Sequence, residues 1–148
     1  MINMDVRKIT DPLEAWSPIM KYMCDDTGPS LPDGDFLGVF DGERMAGAFL
    51  IKSINGYCCE IHGGVHPCYW GEGSKICRDV GKSIFTESEC LKIICMIPAY
   101  NRLMIKCIKS LGMKQEGKIK NAFMKKMKMH DLLIFGITKG EARCQPQW

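Results

Sequence analysis

The 148-residue chain lacks any long apolar run, and none approaches the roughly 20 apolar residues that a membrane-spanning helix requires. Its N-terminus shows no basic segment followed by an apolar one, the pattern of a secretory signal peptide. The formal net charge is only +3, too small to indicate a nucleic-acid-binding protein. We therefore expect a cytoplasmic protein with neither a membrane nor a nucleic acid as its partner.

The sequence also lacks any C-x-x-C pair, although it has nine cysteines. An odd number of cysteines in a chain of this length argues against a disulfide framework and for a reducing compartment. Zinc-ligand types do cluster at Cys58, Cys59, His62, His66 and Cys68. Neighbouring residues of a strand point to opposite faces, however, so Cys59 would face away from Cys58 and His62. We therefore expect no metal.

The pattern of apolar residues predicts alternating strands and helices. Strands are predicted over 4–9, 36–40, 45–54, 57–65, 91–97, 113–124 and 129–138, and helices over 12–24, 74–87 and 103–111. Asp41-Gly42 and Asn55-Gly56 predict tight hairpins, and the continuous apolar run before Pro98 predicts a strand buried on both faces. The fold class is therefore α/β: a single domain over 1–148 with a mixed, mostly antiparallel sheet flanked by helices, and a loose tail over 140–148.

The most informative segment is Val65–Ser74, which follows a predicted strand and opens a predicted helix. Gly71 and Gly73 would let backbone N–H groups approach a bulky anion, and the helix N-terminus adds its positive dipole end. The segment therefore predicts an anion site. The alternative from the residues alone is a turn with a helix cap and no ligand.

Several short blocks, in order, resemble those of GNAT-type N-acetyltransferases. The acyl-CoA loop of that family reads Arg/Gln-x-x-Gly-x-Gly/Ala, and Cys68–Gly73 falls on it. Asn101-Arg102 follows a buried strand, and Leu111-Gly112-Met113 stands where the family reads Leu-Gly-Phe. The resemblance covers nearly the whole chain, best from about Phe36 to Glu141. Residues 115–120 and 130–137 are similar to the ribosomal-protein acetyltransferase branch.

The resemblance implies transfer of an acetyl group from acetyl-CoA to a primary amine of a protein N-terminus, a lysine or a small molecule. It implies that the strands over 57–65 and 91–97 splay apart to admit the thioester, with the pantetheine arm pairing along Gly63 and Val65. It places Asn101 against the cofactor or a nearby backbone group, and Arg102 near a phosphate. The pyrophosphate would lie on the loop residues, namely Tyr69, Trp70, Gly71, Glu72, Gly73 and Ser74.

Glu60 and His62 are the candidate catalytic residues. On a strand they project to the same face, and either could take a proton from the amine directly or through water. The alternative is structural: Glu60 pairs with a lysine across the sheet, and His62 is an ordinary half-buried residue.

Two positions depart from the family pattern. Cys68 replaces the usual Arg or Gln, and Ile108 replaces the tyrosine that often protonates the leaving thiolate. The chain also resembles small GNAT-fold proteins of tailed bacteriophages, including the head-assembly proteins of short-tailed phages. That resemblance implies an alternative: a weakly active or inactive protein of the host cytoplasm, acting in virion assembly through contacts with phage structural proteins. The acceptor groove would be formed by residues 16–35 and the last hairpin.

Overall fold

The computed structural model describes residues 3–11, 13–14 and 34–148. Within these residues seven strands form one sheet: β1 (Met4–Ile9), β2 (Asp35–Asp41), β3 (Arg44–Ser53), β4 (Cys58–Val65), β5 (Lys92–Pro98), β6 (Lys114–Lys125) and β7 (Lys128–Thr138). A 3₁₀ helix (Pro67–Glu72) leads into α1 (Gly73–Glu87), followed by α2 (Arg102–Ser110) and α3 (Lys139–Arg143). The predicted helix over 12–24 and acceptor segment over 16–35 lie largely outside the described residues.

The predicted α/β fold class is confirmed. The strands lie in the order β1-β2-β3-β4-β5-β7-β6, and every neighbouring pair is antiparallel except β4 and β5. The single parallel pair arises because α1 carries the chain back between β4 and β5, as a parallel connection requires. No helix of the described residues is long and apolar enough to cross a membrane.

The two predicted hairpins differ in length. Asp41 pairs with Arg44, so the first has a two-residue loop, and Gly42 takes a φ of 61° that favours glycine. The second loop is longer, because β3 ends at Ser53 and β4 begins at Cys58. There the side chain of Asn55 accepts hydrogen bonds from the backbone N–H groups of Tyr57 and Cys58, which forms the turn without a tight Asn-Gly pair.

The main core lies between the sheet and the two helices α1 and α2. Ile76 and Val80 of α1 pack there against Phe135 and Ile137 of β7, all at most 1% exposed. Each helix buries one apolar stripe, which explains the helical spacing of apolar residues from which the helices were predicted. A second, smaller apolar cluster consists of Ile9, Phe36, Ala48 and Leu50.

Strand β5 differs from its prediction as a strand buried on both faces. Ile93, Cys95 and Ile97 are buried, whereas the alternate residues Ile94 and Met96 are only half-buried. One face of β5 packs into the main core, and the other lies on the side of the sheet that carries Glu60, which pairs in register with Ile94.

The C-terminal residues are packed rather than loose, which corrects the expectation for 140–148. Residues 139–143 form α3, whose N-terminus has a reciprocal capping box between Thr138 and Glu141. The indole N–H of Trp148 donates to the carbonyl of Leu111 at 2.7 Å, and its ring packs beside Phe85 with centroids 6.0 Å apart. A terminal aromatic residue with a satisfied N–H therefore holds the chain end on the domain.

Candidate functional site

Strands β4 and β5 separate after a short paired segment. Pairing is limited to Cys58 with Lys92, Cys59 with Ile93 and Glu60 with Ile94. Beyond Glu60, β4 continues to Val65 and remains paired with β3, while β5 continues to Pro98 and remains paired with β7. The sheet therefore has a wedge-shaped opening between the C-terminal halves of two adjacent strands, as the family resemblance implied.

The open edge of β4 exposes backbone groups that could pair with an extended ligand. The N–H of His66 donates to the Ala46 carbonyl of β3, and in an antiparallel ladder alternate residues share this direction. The groups of Ile61 and Gly63 therefore point the other way, toward the opening. The carbonyl of Val65 also lies on this side but already accepts the indole N–H of Trp70 at 2.9 Å. From Glu60 to Val65 the edge extends about 17 Å.

A glycine is required at position 63 for a second reason, besides access to its backbone groups. A Cβ at this position would run into the ring of Phe49 on the neighbouring strand β3. The glycine therefore lets Phe49 lie flat over β4 in the main core, so a glycine would be expected here with or without a ligand.

The 3₁₀ helix uses several of the amides that the sequence assigned to an anion. The N–H of Tyr69 donates to the His66 carbonyl at 2.8 Å, and that of Gly73 bonds the carbonyl of Trp70. The Tyr69 hydroxyl donates to Asp41 at 3.0 Å, which ties this segment to the first hairpin. Tyr69 and Gly73 therefore do not present free amides, and the expected anion site shifts toward Ser74.

The N-terminus of α1 is the available part of this segment. Its N-cap, Glu72, makes no side-chain hydrogen bond to the helix, so the Glu72 carboxylate does not cap the first-turn amides. The first turn contains no acidic residue, and Glu72 stands just before it at the N-cap. A Cβ on Gly71 would meet no atom within 4 Å, and one on Gly73 only the Cys107 sulfur at 3.9 Å. This end of the helix can accept an anion.

A thiol lies beside this helix terminus that the sequence did not single out. The Ser74 hydroxyl donates to the Cys107 sulfur at 3.4 Å and lies 3.2 Å from the Ser110 hydroxyl. Hydrogen bonds from Cys77 and Ser74 lower the pKa of the Cys107 thiol to about 6, although burial acts in the opposite direction. The Cys107 thiol is therefore more acidic than an ordinary cysteine. Only the packing of α2 on α1 reveals this, since Cys107 has no motif around it.

Asn101 and Arg102 lie at the start of α2. The Asn101 side chain accepts a hydrogen bond from the Met104 N–H at 3.2 Å, so it caps α2 through a nearby backbone group. Arg102 is exposed in the first turn of the same helix. Ile108, at the family's tyrosine position, is 7% exposed and belongs to the core. It therefore supplies no proton to a ligand.

Glu60 and His62 form a pair on one face of β4. The Nε2 atom of His62 lies 2.8 Å from Glu60 Oε1, although the N–H is not aligned for a good hydrogen bond. The same carboxylate oxygen is buried and has no other hydrogen-bond partner among the described residues. Burial lowers the pKa of His62, the Glu60 charge opposes this, and Lys52 lowers it further. The imidazole is therefore neutral at pH 7 and can accept a proton.

Most of the predicted site residues follow one another in the structure, from β4 through the 3₁₀ helix to the start of α1. Glu60 and His62 lie where β4 and β5 begin to separate, and Gly63 and Val65 follow along the open edge. Gly71, Glu72, Gly73 and Ser74 surround the start of α1, onto which β4 leads through the 3₁₀ helix. Among the described residues, no three side chains of His, Cys, Asp or Glu are grouped as metal ligands.

No family model and no curated protein matches the chain, but solved structures resemble it. Spermidine N-acetyltransferase from Vibrio cholerae, in complex with CoA and spermine, superposes with a TM-score of 0.76 at 13% identity, covering 95% of this chain and 98% of that one. A chimera of the Vibrio cholerae enzyme SpeG and hSSAT gives 0.81 at 15%, covering 96% and 99%. A GNAT-family acetyltransferase from Bacillus anthracis gives 0.71 at 18%, covering 93% and 96%. The chain has the fold of GNAT acetyltransferases.

Proposed function

We propose that the protein is an acetyl-CoA-dependent N-acetyltransferase that acts on a primary amine. The observation that carries the proposal is the opening between β4 and β5. Their pairing ends at Glu60, and beyond it the free edge of β4 leads through the 3₁₀ helix to the start of α1. The likeness of fold to acetyltransferases supports the proposal, and one of these is a complex with CoA and spermine.

The donor would lie along the open edge of β4. The backbone groups of Ile61 and Gly63 would pair with the amides of the pantetheine arm, in the manner of an added strand. The pyrophosphate would lie on the first-turn amides of α1 at Ser74, with Gly71 and Gly73 leaving room for it. Arg102, exposed at the start of α2, would pair with a phosphate. The thioester would then reach the wedge beside Glu60.

The acceptor would lose its proton to the pair of Glu60 and His62. The His62 side chain is 34% exposed and lies 2.8 Å from the buried Glu60 oxygen, so a proton taken from the acceptor would be held between these two groups. Once neutral, the amine nitrogen attacks the thioester carbonyl; the C–N bond forms, the C–S bond breaks, the thiolate leaves, and the nitrogen gives up a second proton to the thiolate or to water. Since a thiol has a pKa of about 8.5, the thiolate leaves without a strong acid, which fits the apolar Ile108.

Calorimetric titration with acetyl-CoA, followed by a thiol-release assay, tests the function. The acceptor panel contains spermidine, spermine, a monoamine, and peptides that offer a free N-terminus or a lysine. Binding with thiol release for at least one acceptor supports the proposal. Binding without release from any acceptor would favour the assembly protein that the phage resemblance implies. Absence of binding would overturn the acyl-CoA proposal altogether.

The Glu60→Gln variant tests the proposed base. We expect kcat to fall about a hundredfold or more, the usual size of a general-base contribution, with the KM for acetyl-CoA nearly unchanged. Glu116→Gln is the matched control: that carboxylate pairs with Lys92 at 2.7 Å on a more exposed part of the sheet. Equal losses in the two variants would contradict the assignment of Glu60.

A further inference from the structure

A cationic groove lies at the opposite end of α1 from the proposed acetyl-CoA site. It has a volume of about 450 Å³, and Lys82, Lys139 and Arg143 lie around it. Ser74 and Lys82 are eight residues apart on α1, a separation of about 12 Å along the helix axis. The groove is therefore a separate region of the surface, formed by the second half of α1 together with α3 and the last residue.

The three cations of the groove have no acidic partner in the part of the chain that the structure describes. Every ion pair of the described residues involves other side chains, and no aspartate or glutamate lines the groove. Three like charges around one concave surface raise the local concentration of anions. A ligand with two or more negative charges would therefore be attracted to this groove.

The groove also has an aromatic lining. Phe85, which is 5% exposed, and Trp148 contribute rings with centroids 6.0 Å apart and planes inclined by 50°. The Trp148 N–H is already bonded to Leu111, so the part of the ring that lines the groove is apolar. A planar group can stack on such a surface.

The aromatic wall is held in place without a ligand. Trp148 lies so close to Gly81 that a Cβ there would be 2.5 Å from its ring. The guanidinium of Arg78 donates to the carbonyl of Gln147 at 3.2 Å, which fixes the preceding residue. A wall that is already ordered costs a ligand little conformational entropy.

We propose that this groove binds a nucleoside diphosphate or triphosphate, with the base on Trp148 and the phosphates between Lys82, Lys139 and Arg143. A planar ring joined to several negative charges matches both features, and the volume lies within the range of small-molecule sites. The inference does not depend on the acetyltransferase proposal.

Calorimetric titration of the full chain with ADP tests the site. ADP binds the wild type. Adenosine, which lacks the phosphates, and inorganic pyrophosphate, which lacks the base, each bind at least tenfold more weakly. Arg143→Gln and Lys82→Gln each weaken ADP binding about tenfold, the usual effect of losing one charged contact. Lys120→Gln, on the exposed strand β6, leaves it unchanged. The melting temperature of each unliganded variant reports whether it folds.

Four results would overturn the proposal. The first is no binding of ADP to the wild type. The second is unchanged binding in both Arg143→Gln and Lys82→Gln. The third is loss of ADP binding in Gly73→Asp, which would place the nucleotide at the start of α1 instead. The fourth is tighter binding of a tyrosine-phosphorylated peptide than of ADP, which would assign the groove to a protein partner.

Discussion

Replacing Gly73 by aspartate should weaken acetyl-CoA binding while leaving the fold as stable as before, or more so. Gly73 is the first residue of α1 and has helical φ and ψ angles of −54° and −43°. Its backbone therefore does not require glycine, and a Cβ there would meet only the Cys107 sulfur at 3.9 Å. An acidic residue in the first helical turn stabilises by about 0.3–1 kcal/mol through the helix dipole, and glycine in a helix is less stable than alanine by about 0.5–1 kcal/mol.

The same carboxylate would repel a pyrophosphate bound to the first turn. Two unit charges about 5 Å apart repel by about 3 kcal/mol at an effective dielectric constant of about 20. Salt screens an exposed site, so about half of this remains. Acetyl-CoA should therefore bind about ten- to a hundredfold more weakly.

Two measurements on three proteins test this reasoning. Calorimetry gives the Kd for acetyl-CoA and thermal unfolding gives the Tm without ligand, for the wild type, Gly73→Ala and Gly73→Asp. The alanine variant isolates the effect of added volume, so the difference between the two variants reports the charge. If Gly73→Asp bound acetyl-CoA as tightly as Gly73→Ala, the pyrophosphate would not lie at the start of α1. A lower Tm for the aspartate variant would refute the stability argument.

Three further predictions concern titration, thiol reactivity and packing. Because burial depresses the pKa of His62 below 6.5, the unfolded chain binds a proton first, and stability should fall as the pH drops below about 6.5. The fall in kcat should come only at the lower pKa of the folded protein, and His62→Gln should remove it from an activity profile. Cys107, with a pKa of about 6, should react with iodoacetamide at a rate that levels off above neutral pH, and bound acetyl-CoA should slow this reaction. Peptide mass spectrometry that shows no preferential labelling of Cys107 would contradict the prediction. Gly81→Ala should destabilise by about 1–3 kcal/mol in chemical denaturation by displacing Trp148, whereas Gly140→Ala, with 4.0 Å of clearance, should not.

Much of the architecture followed from local patterns. The apolar spacing of residues 74–87 predicts a helix because Ile76, Val80 and Ile84 recur on one face, and the structure buries that face. Asp41-Gly42 predicts the first hairpin because glycine readily adopts the positive φ that its loop requires. These predictions succeeded because each depends on interactions within about a dozen residues.

The prediction of a loose tail over 140–148 was wrong for the converse reason. Residues 144–148 contain no periodic apolar pattern, so the sequence offered no sign of order. What holds Trp148 is the carbonyl of Leu111, the ring of Phe85 and the missing side chain of Gly81, all distant along the chain. An anchor built from distant groups leaves no local signature.

The sequence by itself determined the order of the elements, the shared face of Glu60 and His62, and the glycines before α1, because strand and helix periods place neighbouring side chains. Only the tertiary structure decided that β4 and β5 separate after Glu60, that the Tyr69 amide is used internally, and that Cys107 lies on Ser74. The reason is physical: a backbone group is free or paired according to which strand lies beside it, and a thiol's pKa depends on which helix packs against it. Neither is a property of the residue's own segment.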